Sequence, residues 1–132
     1  MFVLEVRDHM MIAHSLPGEA FGPAQGMHGA TFVVDAAFFA ERLGPNDIVL
    51  DIGLAAEGLQ RCLAHLNYKN LDTLPDFANT RSTTEVLAKW IFDKLGAEIA
   101  AGHLGEDAKS VTRMRVTLSE SHVAKAWYEA DL

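Results

Sequence analysis

Phe2-Val3-Leu4-Glu5-Val6-Arg7-Asp8-His9-Met10-Met11-Ile12-Ala13-His14 opens the architecture. Phe2, Leu4, Val6, Met10 and Ile12 share one parity, interrupted only by Asp8, and that period of two predicts a strand with one buried face. The next segment, Leu16 to Gly26, carries Pro17, Gly18, Gly22, Pro23 and Gly26, which punctuate a connecting loop. From Met27 to about Phe39 the chain is rich in Thr, Val and Phe and predicts a second strand. The two form a long antiparallel hairpin with a wide loop at its end.

Beyond the hairpin, Gly44-Pro45-Asn46-Asp47 marks a turn, and a helix is expected to begin near Asp51. Ile52, Ala55, Leu59, Cys62 or Leu63, and Leu66 recur at steps of three and four, an amphipathic stripe. Asn67 to Arg81 is polar and reads as a long ordered loop, a kind of segment that often carries function. Ser82-Thr83-Thr84-Glu85 has the pattern of a capping box, with Ser82 at the cap and Glu85 reaching back. Val86, Leu87, Trp90, Ile91 and Leu95 continue as a second apolar stripe. After a turn at Gly102 to Asp107, Val111 to Glu120 alternates again, with Met114, Val116, Leu118 and Glu120 on one side, and Ala124 to Glu129 returns as a last strand. The predicted order is β-β-α-α-β-β in a single α+β domain spanning 1–132, with the helices over one sheet face. Two helices leave a sheet face and edges uncovered, so a homo-oligomer is expected.

Composition narrows the partners. Of 132 residues, 11 are Lys or Arg and 18 are Asp or Glu, a formal charge of −7. That balance argues against a nucleic-acid binder, which needs a basic face to displace counterions, and against an anionic membrane surface. No apolar run reaches bilayer length, and the N-terminus lacks a basic-then-apolar signal pattern. The lone cysteine, Cys62, rules out an internal disulfide framework and suits a reducing compartment, so a cytoplasmic location is expected.

Three groups of residues could carry chemistry. His14 ends the first strand and His28 begins the second, so a hairpin brings the two imidazoles face to face. A chemically active zinc site needs three protein ligands, and the position two beyond His28 on the same strand face is Ala30, without a donor atom. His9 has the opposite parity to His14 and points to the other face. Glu120 ends an otherwise apolar strand face, where a carboxylate needs a partner: an Arg or Lys side chain, or the N–H pair of a bound heterocycle. His122 lies one step further on. Cys62 and His65 are three apart on the first helix, but Cys62 falls on the apolar stripe, where cysteine behaves as a small hydrophobe. A glycine-rich phosphate cradle, a CxxC pair and a nucleophile elbow are all absent.

Ile12-Ala13-His14-Ser15-Leu16, Met27-His28-Gly29, Val49-Leu50-Asp51-Ile52, Leu66-Asn67 with Asn70-Leu71-Asp72, Thr83-Thr84-Glu85-Val86-Leu87-Ala88 and Ser119-Glu120 span almost the whole chain. In this order they resemble the 6-pyruvoyl-tetrahydropterin synthase / 6-carboxytetrahydropterin synthase family. The resemblance implies the tunnelling fold: β-β-α-α-β-β subunits joined into a trimeric barrel, stacked as a homo-hexamer with active sites between subunits. It implies that Glu120 anchors a pterin-like ring and that Thr83, Thr84 and Glu85 border its pocket.

The same resemblance exposes departures. The family's zinc ligands match His14 and His28, but Ala30 stands where the third histidine would be. Ala24 stands at the catalytic cysteine, and Cys62-Leu63 at the positions matched to the Asp-His pair. The expectation is therefore a diverged homologue that binds a pterin-like ligand with no cofactor and no stoichiometric zinc, zinc remaining possible only at an incomplete site. The alternative is an active pterin synthase or lyase on dihydroneopterin triphosphate, with Cys62, His65 or His122 as relocated catalytic groups. A scaffold with a vestigial pocket is a third reading.

Overall fold

The computed structural model describes residues Met1–Leu132. Strand β1 (Phe2–His14) and strand β2 (His28–Ala40) pair antiparallel along their whole length, from Phe2 opposite Ala40 to His14 opposite His28. The connecting loop holds a 3-10 segment, Glu19–Gln25, interrupted at Gly22 where φ is +50°. Helix α1 (Ile52–Ala64) starts where expected: Asp51 caps it, its side chain accepting from the Leu54 amide at 2.9 Å. Helix α2 (Thr84–Ala100) follows, then strands β4 (Arg113–Ser121) and β5 (Ala124–Asp131).

A short strand not expected from the sequence, β3 (Lys69–Asn70), lies parallel to the end of β1, opposite Ile12 and Ala13. The sheet is therefore mixed and five-stranded, in the order β3-β1-β2-β4-β5. The rest of the expected loop 67–81 winds into two 3-10 turns, Leu71–Thr73 and Pro75–Phe77, that bury Leu71 and Phe77.

The period-two readings translate directly into packing. Val6, Met10 and Ile12, then Phe32, Val34, Ala36 and Phe38, and finally Met114, Val116 and Leu118 all face one side and are buried. Against them the helices lay Ala55, Leu59, Cys62 and Leu63 from α1 and Leu87, Ala88, Ile91 and Leu95 from α2. Ile52 departs from its expected stripe: it is 65% exposed, while Ala55, three residues on, is fully buried.

The opposite sheet face has no helix. It carries charge in cross-strand pairs: Arg7 clasps Asp35 through two bonds of 2.7 and 3.0 Å, and Arg113 holds Glu129 and Asp131. The Gly44–Asp47 turn is pinned to the segment before β4 by buried Asp107, which accepts from the Asn46 amide and side chain. A Cβ at Gly44 would lie 2.4 Å from an Asp107 oxygen, so this contact needs glycine. No helix is long and apolar enough to cross a membrane.

Candidate functional site

Strand register builds the first part of the site. His14 opposite His28 brings the imidazoles to a ring separation of 4.6 Å, edge to face. His28 Nδ1 lies 2.9 Å from the Gly26 carbonyl oxygen. A carbonyl only accepts, so this nitrogen donates, and in the neutral ring the lone pair lies on Nε2. His14 is 4% exposed and its Nδ1 meets the Ser82 hydroxyl at 3.0 Å. Burial, then the neighbouring His28, pushes the His14 pKa below its ordinary 6.5, so His14 is held neutral at pH 7.

That bond changes the reading of helix α2's start. Ser82 is not the cap: its hydroxyl is taken by His14, and the cap moves one residue on to Thr83, whose side chain accepts from the Val86 amide at 3.3 Å. Glu85 consequently sits too early for the reciprocal capping bond. A buried imidazole outcompetes a helix amide for the hydroxyl, because the amide has Thr83 as a substitute and the imidazole has none. Ser82→Ala is expected to leave Nδ1 unpartnered and lower unfolding stability by about 1–3 kcal/mol, measurable by urea titration. An unchanged midpoint would show that water replaces the hydroxyl.

Glu120 lies at a break in strand pairing: Ser119 faces Lys125 but Ser121 faces Ala124, so Glu120 is the extra residue of a bulge. The bulge turns its exposed carboxylate onto the sheet rim, where it lines two adjoining clefts. The smaller, about 130 Å³, is shared with Thr84, Glu85 and Lys125. The larger, about 510 Å³, opens on the uncovered sheet face and is lined by Arg7, Thr31, His122 and Lys125 among others. Glu120 is in none of the chain's ion pairs or hydrogen bonds, so the Arg or Lys partner considered for it is not supplied within one chain.

The entry into helix α2 thus joins both parts: Ser82, just before the cap, touches His14, and Thr84 in the first turn borders the cleft it shares with Glu120. Thr83 is at the same turn, with its hydroxyl engaged as the cap. Free amides at this helix start are available to an acceptor atom. Sequence reading missed Ser82 as the His14 partner, Asp72, which accepts from the Ser15 amide at 3.1 and 3.2 Å, and Arg7 and Lys125 as cleft walls.

The relocated groups go elsewhere. Cys62 and His65 share a groove of about 340 Å³ between α1 and α2 with Arg61, Lys94 and His103, and none of its lining residues reaches the Glu120 clefts. Burial pushes the Cys62 thiol up to about 11, which keeps it protonated and unreactive at neutral pH. His122 does line the larger Glu120 cleft. Cys62 and Leu63, the residues at the positions matched to the Asp-His pair, are both buried in the core.

The zinc that the resemblance implies would need three donors. His14 and His28 offer two nitrogens, Ala30 offers none, and no cluster of three His, Cys, Asp or Glu side chains in the chain could hold a metal ion. The residues present do not fit that group.

Comparison with known proteins adds an independent line. A sequence profile described as 6-pyruvoyl tetrahydropterin synthase matches residues 3–131. The 6-carboxy-5,6,7,8-tetrahydropterin synthase of Bacillus subtilis (strain 168) is 28% identical over 102 residues, 73% of this chain and 66% of that protein, so the chain covers just under two thirds of the relative's length. Among solved structures, 6-pyruvoyl tetrahydropterin synthase from Caenorhabditis elegans superposes with a TM-score of 0.81 at 22% identity, over 98% of this chain and 95% of that one. The Plasmodium vivax enzyme of that name gives 0.75 at 19% identity, covering both chains completely. These structures share the α+β tunnelling fold with this chain.

Proposed function

Since the chain belongs to the 6-pyruvoyl tetrahydropterin synthase family, we propose that it is a diverged member that binds a pterin-like small molecule at Glu120 without the zinc-dependent chemistry of its relatives. The observation that carries this reading is the unpaired Glu120 carboxylate on the rim of two clefts, beside the start of α2. A carboxylate without an internal partner suits the adjacent N–H donors of a pterin or guanine ring, which it accepts as a charge-assisted pair. Thr84 and the first-turn amides suit the ring's carbonyl oxygen. Thr83 contributes by fixing the direction of that turn.

The catalytic side is argued from donors present. Two imidazoles without a third ligand do not make the open three-ligand site that activates a substrate at zinc, Ala24 has no thiol, and Cys62 is buried with its proton held. The reading in which Cys62 and His65 replace the lost groups places them in a groove that excludes Glu120. His122 remains at the cleft as a group that can hydrogen-bond a ligand substituent.

The single domain 1–132 assembles as a homo-hexamer of two stacked trimeric barrels, because the sheet has free edges and one face without a helix. The protein works in the cytoplasm, and with a charge of −7 it has no nucleic-acid partner. Calorimetric titration of the untagged protein with neopterin, biopterin and guanine tests the ligand, and sedimentation at micromolar concentration tests the assembly. Saturable binding of at least one ring per chain by a six-copy particle is expected; no binding by any of the three, or a monomer throughout, overturns the corresponding part.

A further inference from the structure

Arg61 on α1 and Lys94 on α2 line the same groove between the helices, and there the chain's excess of acid is reversed. Glu98 is the only carboxylate on its walls, and both of its oxygens are taken: Oε1 by Arg61 Nε at 3.0 Å, Oε2 by His103 Nδ1. These bonds hold Glu98 below the usual carboxylate range, so it stays ionised. Arg61 is thereby fixed through Nε alone, and its two terminal NH₂ groups keep their donors free.

Lys94 has no acid of its own. Lys89, on the same helix, pairs with Asp93 four residues on at 2.8 Å. The corresponding partner of Lys94 is Glu98, whose oxygens are already occupied by Arg61 and His103. The side-chain bonds of this region are those of Arg61, Lys89, Trp90 and His103, and Lys94 takes part in none of them. Its ammonium lies 5.1 Å from the centre of the Trp90 ring, which His65 meets edge to face at 6.3 Å.

Basic residues at a helix end commonly complement its dipole. That accounts for Arg61 and His65 at the end of α1. It does not account for Lys94, which precedes the last turn of α2 and donates to no carbonyl of α1. Ala97 and Ala101, one turn apart, leave the groove open to a volume of about 340 Å³. A second groove of about 280 Å³ meets it at His65 and Lys94 and is walled by Leu74 and Trp90. Neither shares a residue with the Glu120 clefts.

We propose that this groove is a second ligand site, taking a phosphoryl group between the terminal nitrogens of Arg61 and the ammonium of Lys94, with His65 as a further donor. A guanidinium fork beside a point-charge ammonium matches a tetrahedral dianion, whose several oxygens engage both at once. A phosphate ester lays its organic part in the adjoining groove against Leu74 and Trp90, whereas free phosphate leaves that groove unused. The site stands independently of the pterin reading.

The test is a ³¹P NMR titration of the untagged protein with inorganic phosphate at constant ionic strength, which holds non-specific screening fixed. Saturable line broadening is expected. Lys94→Gln should weaken it by at least about tenfold, and Lys94→Arg, which keeps the charge, should retain it. Position 94 is exposed and unpaired, so both variants should fold as the natural protein does. Arg61→Gln should lose binding as Lys94→Gln does. Absence of saturable broadening overturns the proposal. So does binding that survives Lys94→Gln but is lost in Lys125→Gln, which would place the anion in the Glu120 cleft. Competition by phenyl phosphate separates the two sources: displacement at concentrations well below those of phosphate itself supports an ester as the ligand of this site, and displacement no better than phosphate supports the free anion.

Discussion

Glu120→Gln is expected to weaken neopterin binding by about ten- to a hundredfold while leaving the fold and the oligomer untouched. The substitution keeps the shape of the side chain but replaces one acceptor oxygen with an NH₂ group, which would face the ring's own donors. A hydrogen bond to a charged group contributes roughly 1.5–3 kcal/mol, and each 1.4 kcal/mol is tenfold in affinity. The fold should survive because Glu120 is exposed at a bulge and pairs with nothing in its own chain, so its charge stabilises no internal contact. Guanine, which presents the same N–H edge, should lose affinity in parallel; a ligand held only by shape would not. Calorimetry on both proteins decides it, and equal affinities would remove Glu120 from the site.

How much of this was legible in the sequence depends on the range of the contact. The hairpin Phe2–His14 with His28–Ala40 was, because strand parity and the Gly- and Pro-rich loop fix which residues face each other, down to His14 opposite His28. The start of α1 at Asp51 was, because a cap acts on an amide three residues away. Glu120 could be singled out because it breaks an apolar parity.

What stayed hidden involves partners far apart in sequence. Ser82 reads as a cap until His14, 68 residues earlier, claims its hydroxyl. Lys69–Asn70 shows no strand pattern because two residues carry no periodicity, and only the end of β1 makes them a strand. Tyr68 gives no sign of its left-handed backbone, since Met11 imposes it. The bulge that turns Glu120 onto the rim is invisible in the alternation that precedes it.

Ala30→His should convert a pair of idle imidazoles into a zinc site. His14 and His28 already have what zinc ligands usually require: their Nδ1 atoms are engaged by the Ser82 hydroxyl and the Gly26 carbonyl, which orients each ring and leaves Nε2 for a metal. Position 30 follows His28 by two residues on β2 and so projects from the same strand face. A histidine there supplies the third nitrogen, with water in the fourth position. After dialysis the natural protein should hold well under one zinc per chain, since two ligands bind too weakly to survive it, and Ala30→His should hold about one. Because metal bound only by the folded state stabilises it, zinc at a hundred times its dissociation constant should raise the stability of Ala30→His by about 2.7 kcal/mol, reversed by a chelator, with little change in the natural protein. Ala30 packs against the core, so circular dichroism must first show that the larger side chain is tolerated. Elemental analysis then reads both proteins: about one zinc in the natural protein would mean that a donor from another copy completes the site, and none in a folded Ala30→His would mean that the two histidines are not aligned to share a metal.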